Sequence, residues 1–208
     1  DKLVELARES VRNTGYEEIS LSSLSSSDYS CISELAGRLT DELRDQRVSL
    51  SLPSLRVDKF VQDTLTHTQK VKKSSLTFAP EAGTQRLRDV INKNVTEADL
   101  VNTLTNAFSN GWNAVKLYFM TGLPTETDED LIGIAELAKT AAGAYYSVPK
   151  EKRVKGLRIT CSAAVFVPKP FTPFQWCRQD DPDTVRRKQR LVREHFAPLK
   201  SAHFNYHD

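Results

Sequence analysis

Cysteine is scarce in this chain of 208 residues: there are three, Cys31, Cys161 and Cys177, and no two have the spacing of a ligand pair. An odd number of widely spaced thiols argues against a disulfide framework and makes a reducing cytoplasm the expected compartment. It also argues against a structural zinc or an iron–sulfur cluster built by this chain alone. Charge of one sign is lacking too. Lys and Arg number 29 against 27 Asp and Glu, a net +2, so composition demands neither nucleic acid nor an anionic membrane. The longest apolar runs, such as 162–167, are far too short to span a bilayer. No charged segment followed by an apolar one opens the chain, so no secretory leader is expected. The chain starts on Asp1 rather than Met, and residues 202–208 read as the start of a strand with no partner following. Both ends are therefore expected to be cuts in a longer protein.

What is there is alternation. Leu3, Val4, Leu6, Ala7 and Val11 recur at helical spacing and stop at Asn13, Thr14 and Gly15. Ile32, Leu35, Ala36, Leu39 and Leu43 line one face of a helix over 30–45. Further helices are expected over 58–66, 84–91, 96–109, 128–142 and 183–196. Thr96 with Asp99 forms a capping box, Gly111 is placed to end that helix, Thr127 caps the next, and Pro182 opens the last at the position proline prefers. Between them lie short apolar strands at 16–21, 48–52, 75–78, 114–120 and 158–167. Short strands alternating with helices indicate a parallel sheet with crossover helices, either an open or partial barrel or a doubly wound sheet. The whole chain is read as one domain without a linker. In either architecture ligands sit at the carboxyl ends of the strands.

The loops at those ends carry the functional expectations. The first holds Ser22, Ser23 and further serines before Asp28; its hydroxyls and amides suit a head group or, equally, a helix cap. The third holds Ala79-Pro80-Glu81-Ala82-Gly83-Thr84. Glu81 is placed to grip ribose hydroxyls or an ammonium, or simply to favour a helix amino terminus. Lys93 follows at the far end of the next helix, where a lysine is also favoured for its own sake. The fourth runs Met120-Thr121-Gly122-Leu123-Pro124-Thr125-Glu126-Thr127. Gly122 permits close approach of a flat ligand, and Glu126 with Thr127 reads as a helix-opening pair. After the fifth strand, residues 167–176 hold three prolines and three aromatics, either a pocket wall or a polyproline-like brace. His67, His195, His203 and His207 lie outside these loops, and no phosphate-binding glycine fingerprint or His-Glu-x-x-His occurs. Cys161 lies in an apolar strand as a small core residue.

Three segments taken in order resemble the radical S-adenosylmethionine superfamily, in the branch often fused to a cobalamin-binding domain. They are residues 78–88 with Ile91-Asn92-Lys93, residues 117–127 with Gly-Leu-Pro-Thr-Glu-Thr at 122–127, and residues 166–176. The resemblance implies a partial barrel of six βα units, of which about five parallel strands are expected here. In the family a Cys-x-x-x-Cys-x-x-Cys loop after the first strand binds a [4Fe–4S] cluster. This chain resembles the part that begins at the following helix, and it has no such loop. The resemblance further implies that Ser22 and Ser23 lie where a glycine-rich strand end meets the methionine ammonium, although that motif's glycines and acid are absent here. Glu81 matches a residue contacting the methionine or ribose part, and Lys93 a base pairing with the methionine carboxylate. Met120 and Gly122 match a motif packing near adenine; Val165, Phe166 and Val167 match a strand whose backbone holds the adenine edge.

The function so implied is that of a fragment, inactive alone, of an enzyme that uses the cluster to cleave S-adenosylmethionine to a 5′-deoxyadenosyl radical. Its partners would be the small-molecule cofactor, an electron donor for the cluster and a substrate, RNA or a small molecule, with cobalamin entering through a separate domain and no membrane involved. Two other readings stand beside it. One is a cluster-free barrel that serves as a protein- or RNA-binding scaffold. The other is an αβ-barrel enzyme with Glu81 or Glu126 as general base, ranked last because nothing adjacent in sequence to either suggests a shifted pKa.

Overall fold

A computed structural model of the chain describes residues 1–21, 29–51 and 76–206. The expected helix at 58–66 and the serines at 22–28, Ser22 and Ser23 included, lie outside the described residues. The chain divides into two compact units, Asp1–Thr77 and Phe78–Asp208.

The first unit is a β-α-β arrangement preceded by a helix. Helix α1 (Lys2–Thr14) buries Val4, Ala7 and Val11, the stripe read from the sequence, and stops at Gly15 in the left-handed conformation. Strand β1 (Glu18–Ser20) pairs in parallel with β2 (Ser49–Ser51), Ile19 opposite Leu50. Helix α2 (Ile32–Leu43) connects them and buries Leu35, Ala36 and Leu39 against Val4, Ala7 and Leu50. A crossover helix is what a parallel pair requires, because a tight turn cannot bring the second strand back in the same direction.

The second unit is built on a four-stranded sheet. Its strands are β3 (Leu76–Glu81), which crosses the division between the units, β4 (Ala114–Thr121), β5 (Arg158–Val165) and β6 (Ala202–Tyr206), in that spatial order. Pairing is parallel from β4 to β5 and from β5 to β6, with Thr121 opposite Val165 and Ile159 opposite Ala202. Residues 202–206 therefore do find a partner, and six strands rather than five are present among the described residues. These residues form two parallel sheets with crossover helices and no closed barrel.

The helices between the strands are α3 (Gln85–Val90), α4 (Glu97–Ser109), α5 (Asp128–Ser147) and α6 (Pro182–Phe196). Val115, Leu117 and Phe119 on β4 are buried while Lys116 and Tyr118 between them are exposed, so one face of the strand serves the core. In register with Lys116 and Tyr118 stand Thr160 and Ser162 on β5 and His203 and Asn205 on β6, which places polar side chains across one face of the sheet. The capping box of Thr96 and Asp99 forms as expected. Helix α5 outruns its expected end at 142. Gly143 has open space around it and costs the helix only about 1 kcal/mol relative to alanine. Beyond it Tyr145 is buried edge to face with Phe108 at 5.4 Å and donates its hydroxyl to the Val154 carbonyl at 2.7 Å. Packing past Gly143 carries the helix on until the residue before Pro149, where the α conformation is disfavoured.

Candidate functional site

The carboxyl ends of β3, β4 and β5 hold the residues singled out from the sequence. Strand β3 ends on Glu81, whose φ of 70° is in the left-handed region, at a cost of about 1–2 kcal/mol for a residue with a side chain. The bend after it is held from below by Arg88. That guanidinium is buried and donates to the Ala82 carbonyl at 3.0 Å and the Gln85 side chain at 3.2 Å. Burial pulls its pKa below the ordinary value. Helix α3 then closes with Asn92 at φ 55°, while the Asn92 and Lys93 amides donate back to the Asp89 and Arg88 carbonyls at 3.0 and 2.8 Å. This is the Schellman pattern with asparagine in the left-handed position. It turns Lys93 back toward the strand end, where its Nζ lies 3.3 Å from Glu81 Oε1. Glu81 and Lys93, matched one by one to cofactor contacts by the resemblance, thus meet in space. Both side chains keep partial access to solvent.

The turn after β3 and the first turns of α5 are interlocked by their own backbones. A Cβ on Gly83 would lie 2.2 Å from the Asp130 carbonyl oxygen and 2.5 Å from the Ile134 nitrogen, and one on Gly133 would strike Gly83 at 2.9 Å. Only two glycines permit that approach. Asp130, buried on α5, accepts from the Thr127 amide at 2.8 Å and from the Thr84 hydroxyl, and pairs with Arg86. Arg86 also donates to the Thr125 carbonyl at 2.8 Å. Burial alone would raise the Asp130 carboxyl; the bonds from Arg86, Thr84 and Thr127 outweigh it and hold the group below its ordinary value. Thus Gly83, Thr84, Arg86, Thr127, Asp130 and Gly133 fix where Glu81 and Met120 stand.

A second knot was not legible in the sequence. Glu126 Oε1 accepts from the Gly122 amide at 2.9 Å and from Lys188 Nζ at 2.8 Å, and Lys188 also meets Asp180 Oδ2 at 2.7 Å. The side chains of Glu126 and Lys188 are 2% and 11% exposed. Burial pushes the Glu126 carboxyl above its ordinary value, with Lys188 and the Gly122 amide opposing. Burial would lower the Lys188 ammonium, but its bonds to Asp180 and Glu126 more than reverse this and raise it. Nothing beside Glu126 in the sequence signals a shifted pKa; burial raises it, and the opposing cation arrives from α6, sixty-two positions along the chain. Gly122 is likewise reinterpreted. Its φ is 83°, and the space its missing side chain leaves is filled by Asp180 Oδ2, 2.8 Å from an ideal Cβ, rather than left for a flat ligand.

The end of β5 completes the wall. The Phe166 amide donates to the Thr121 carbonyl at 2.8 Å, which carries the register one step past Val165. Phe166 is buried with Ala82, Leu87 and Leu123, and Met120 packs against that cluster. Val167 is half exposed. The carboxyl ends of β3, β4 and β5 therefore combine an apolar floor with one carboxylate and one ammonium, both at the end of β3.

A family model described as the Radical SAM superfamily matches residues 1–138. The chain belongs to the radical SAM superfamily. It is also 38% identical over 175 residues to the uncharacterized protein MJ0966 of Methanocaldococcus jannaschii, an alignment covering 84% of this chain and 35% of that protein. The chain thus spans about a third of the length of this radical SAM chain's curated relative. Neither similarity supports a cobalamin-binding domain.

Members of the superfamily generally use S-adenosylmethionine with a [4Fe–4S] cluster. The described residues contain no group of three His, Cys, Asp or Glu side chains able to hold a metal. Cys31 is exposed, Cys161 is buried with its thiol pushed up to about 12 by desolvation, and Cys177 is half-buried. Those residues do not fit the cluster. Glu81 and Lys93 offer the two charges complementary to those of a zwitterion. Among the described residues no helix is long and apolar enough to cross a membrane.

Proposed function

We propose that this chain forms the S-adenosylmethionine-binding wall of a radical SAM enzyme, with the cluster held by residues other than its three cysteines. The observation that carries the reading is the Glu81–Lys93 pair at the carboxyl end of β3. S-adenosylmethionine presents an ammonium and a carboxylate on one carbon. A pair at 3.3 Å with both partners partly solvated is worth only about 0.2–1 kcal/mol and opens at little cost. The ligand's own charges can then replace the partners, ammonium on Glu81 and carboxylate on Lys93. Met120 and the 165–167 backbone flank the adenine, over the apolar floor of Ala82, Leu123 and Phe166, while Gly122, its open side taken by Asp180, shapes the turn beside them. Ser22 and Ser23 are assigned to the methionine side by resemblance alone. When bound to a reduced cluster the cofactor supplies radical chemistry; the residues of this chain bind it, orient it and exclude water.

In the full protein this activity requires an electron donor and a substrate, and the three free cysteines suit a reducing cytoplasm. The test is anaerobic preparation of a longer protein that includes this chain. A [4Fe–4S] absorption and reductive cleavage of S-adenosylmethionine are expected. A longer protein that binds no cluster would favour the cluster-free scaffold instead.

A further inference from the structure

The connection between β5 and α6 treats its aromatic side chains in two opposite ways. Phe166 and Phe174 meet edge to face at 6.3 Å and, with Cys177, pack on Ala82, Leu87 and Leu123. Phe171 and Trp176, interspersed with those anchors, are 97% and 90% exposed. The exposure does not come from a slack loop. The Thr172 hydroxyl donates to the Lys169 carbonyl at 2.7 Å, the Gln175 amide to the Thr172 carbonyl at 3.1 Å, and the Cys177 amide to the Phe174 carbonyl at 3.0 Å. The Phe171 amide donates to the Gln175 side chain at 3.2 Å, at a φ of 63° that a bulky residue seldom adopts. At the far end Lys188 pins Asp180. A pinned segment that holds two large aromatic faces in water gains nothing for folding from either.

The charges around those faces have one prevailing sign. Lys169 and Arg178 flank them and are exposed, Arg178 in only a loose contact of 3.4 Å with Asp181. Helix α6 continues with Arg186, Arg190 and Arg193, spaced by four and three residues and exposed, while Lys188, Gln189, Val192 and Phe196 form its buried side. Residues 166–200 contain eight Lys and Arg against four Asp and Glu, in a chain whose net charge is only +2. Flat π faces beside guanidinium and ammonium groups match alternating bases and phosphates.

We infer that residues 166–181 with the outer face of α6 bind single-stranded nucleic acid, bases stacking on Phe171 and Trp176 and phosphates meeting Lys169, Arg178 and the arginine row. The test uses the 208-residue chain with fluorescein-labelled fifteen-nucleotide oligo(U) and oligo(dT), read by anisotropy and by tryptophan emission. Trp112 is 3% exposed and stays silent, so quenching reports on Trp176. Both oligomers should bind, quench Trp176 and dissociate as salt rises. Trp176→Ala should weaken binding roughly tenfold or more, and Arg190→Ala should lower the salt slope by about 0.7. Because Trp176 and Arg190 are exposed, neither variant threatens the fold, and unchanged far-ultraviolet dichroism checks this. The inference is overturned by no binding at low salt, by a Trp176→Ala variant that binds as tightly as the parent, by a duplex that binds as tightly as the single strands, or by poly-glutamate that displaces the oligomer as well as unlabelled oligomer does.

Discussion

Replacing Lys188 by methionine removes the one cation shared by two carboxylates while keeping the stem that packs beside them. Glu126 would then be buried with only backbone amides, those of Gly122 and Leu123, to satisfy it, and Asp180 would lose its partner at 2.7 Å. Breaking a buried pair by removing one member costs about 3–5 kcal/mol, far more than an exposed pair is worth. The assay is urea denaturation followed by tryptophan emission. Both tryptophans, Trp112 and Trp176, lie in the second unit, so the signal reports that unit alone. The variant's loss should also shrink in acid. Without Lys188 the Glu126 carboxyl rises further above its ordinary 4.5, so the folded state takes up a proton more readily than the unfolded one and stability recovers as pH falls toward about 4.5. The intact protein behaves in the opposite range. Lys188 is raised above 10.5, so its contribution is full below that pH and is lost as pH rises through the folded value. Glu126→Gln added to Lys188→Met should recover at least half of the loss, because the amide oxygen still accepts from Gly122. A loss under about 1 kcal/mol, or one independent of pH between about 4 and 7, would mean that a buried uncompensated charge does not dominate.

Three further outcomes are expected. Gly83→Ala forces a Cβ against the Asp130 carbonyl at 2.2 Å, which should destabilise the second unit by about 1–3 kcal/mol or more in the same urea assay. Asp130→Asn loses the Arg86 pair but keeps its Thr127 contacts, for a cost of about 1–3 kcal/mol at neutral pH. Asp130 is held below its ordinary 3.8, so that cost should be full above pH 3.8, fade as pH falls through the folded value, and vanish in stronger acid. In the first unit Leu39→Ala empties a fully buried position of the α1–α2 cluster, and a loss of about 2–5 kcal/mol should appear in thermal unfolding followed by circular dichroism.

The elements of this fold were largely readable because each is locally consistent. The stripe Val4, Ala7, Val11 and the capping box at Thr96 rest on neighbours within one helix. The Glu81–Lys93 pair was readable for a similar reason, since twelve residues and one short helix separate the partners. Contacts made across the sequence were not. Glu126 reads as a helix-opening residue until Lys188 arrives from α6, and Gly122 reads as room for a ligand until Asp180 fills it. The strand 202–206 reads as having no partner following it, and it pairs instead with β5, which precedes it by a whole helix. The motif residues themselves split by role. Gly83, Thr84, Arg86, Thr127, Asp130 and Gly133 lock the turn after β3 against the first turns of α5 and hold the scaffold rather than a ligand-facing surface.

In the proposed function the Glu81–Lys93 end of β3 receives the zwitterionic part of S-adenosylmethionine. Saturation-transfer difference NMR with S-adenosylmethionine tests it on the chain as it stands, because the method detects weak binding without a cluster. Saturation transfer to the methionine and adenine protons is expected, with the methionine signals lost in Lys93→Met and in Glu81→Gln. No transfer to the cofactor, or undiminished methionine signals in both variants, would contradict the account.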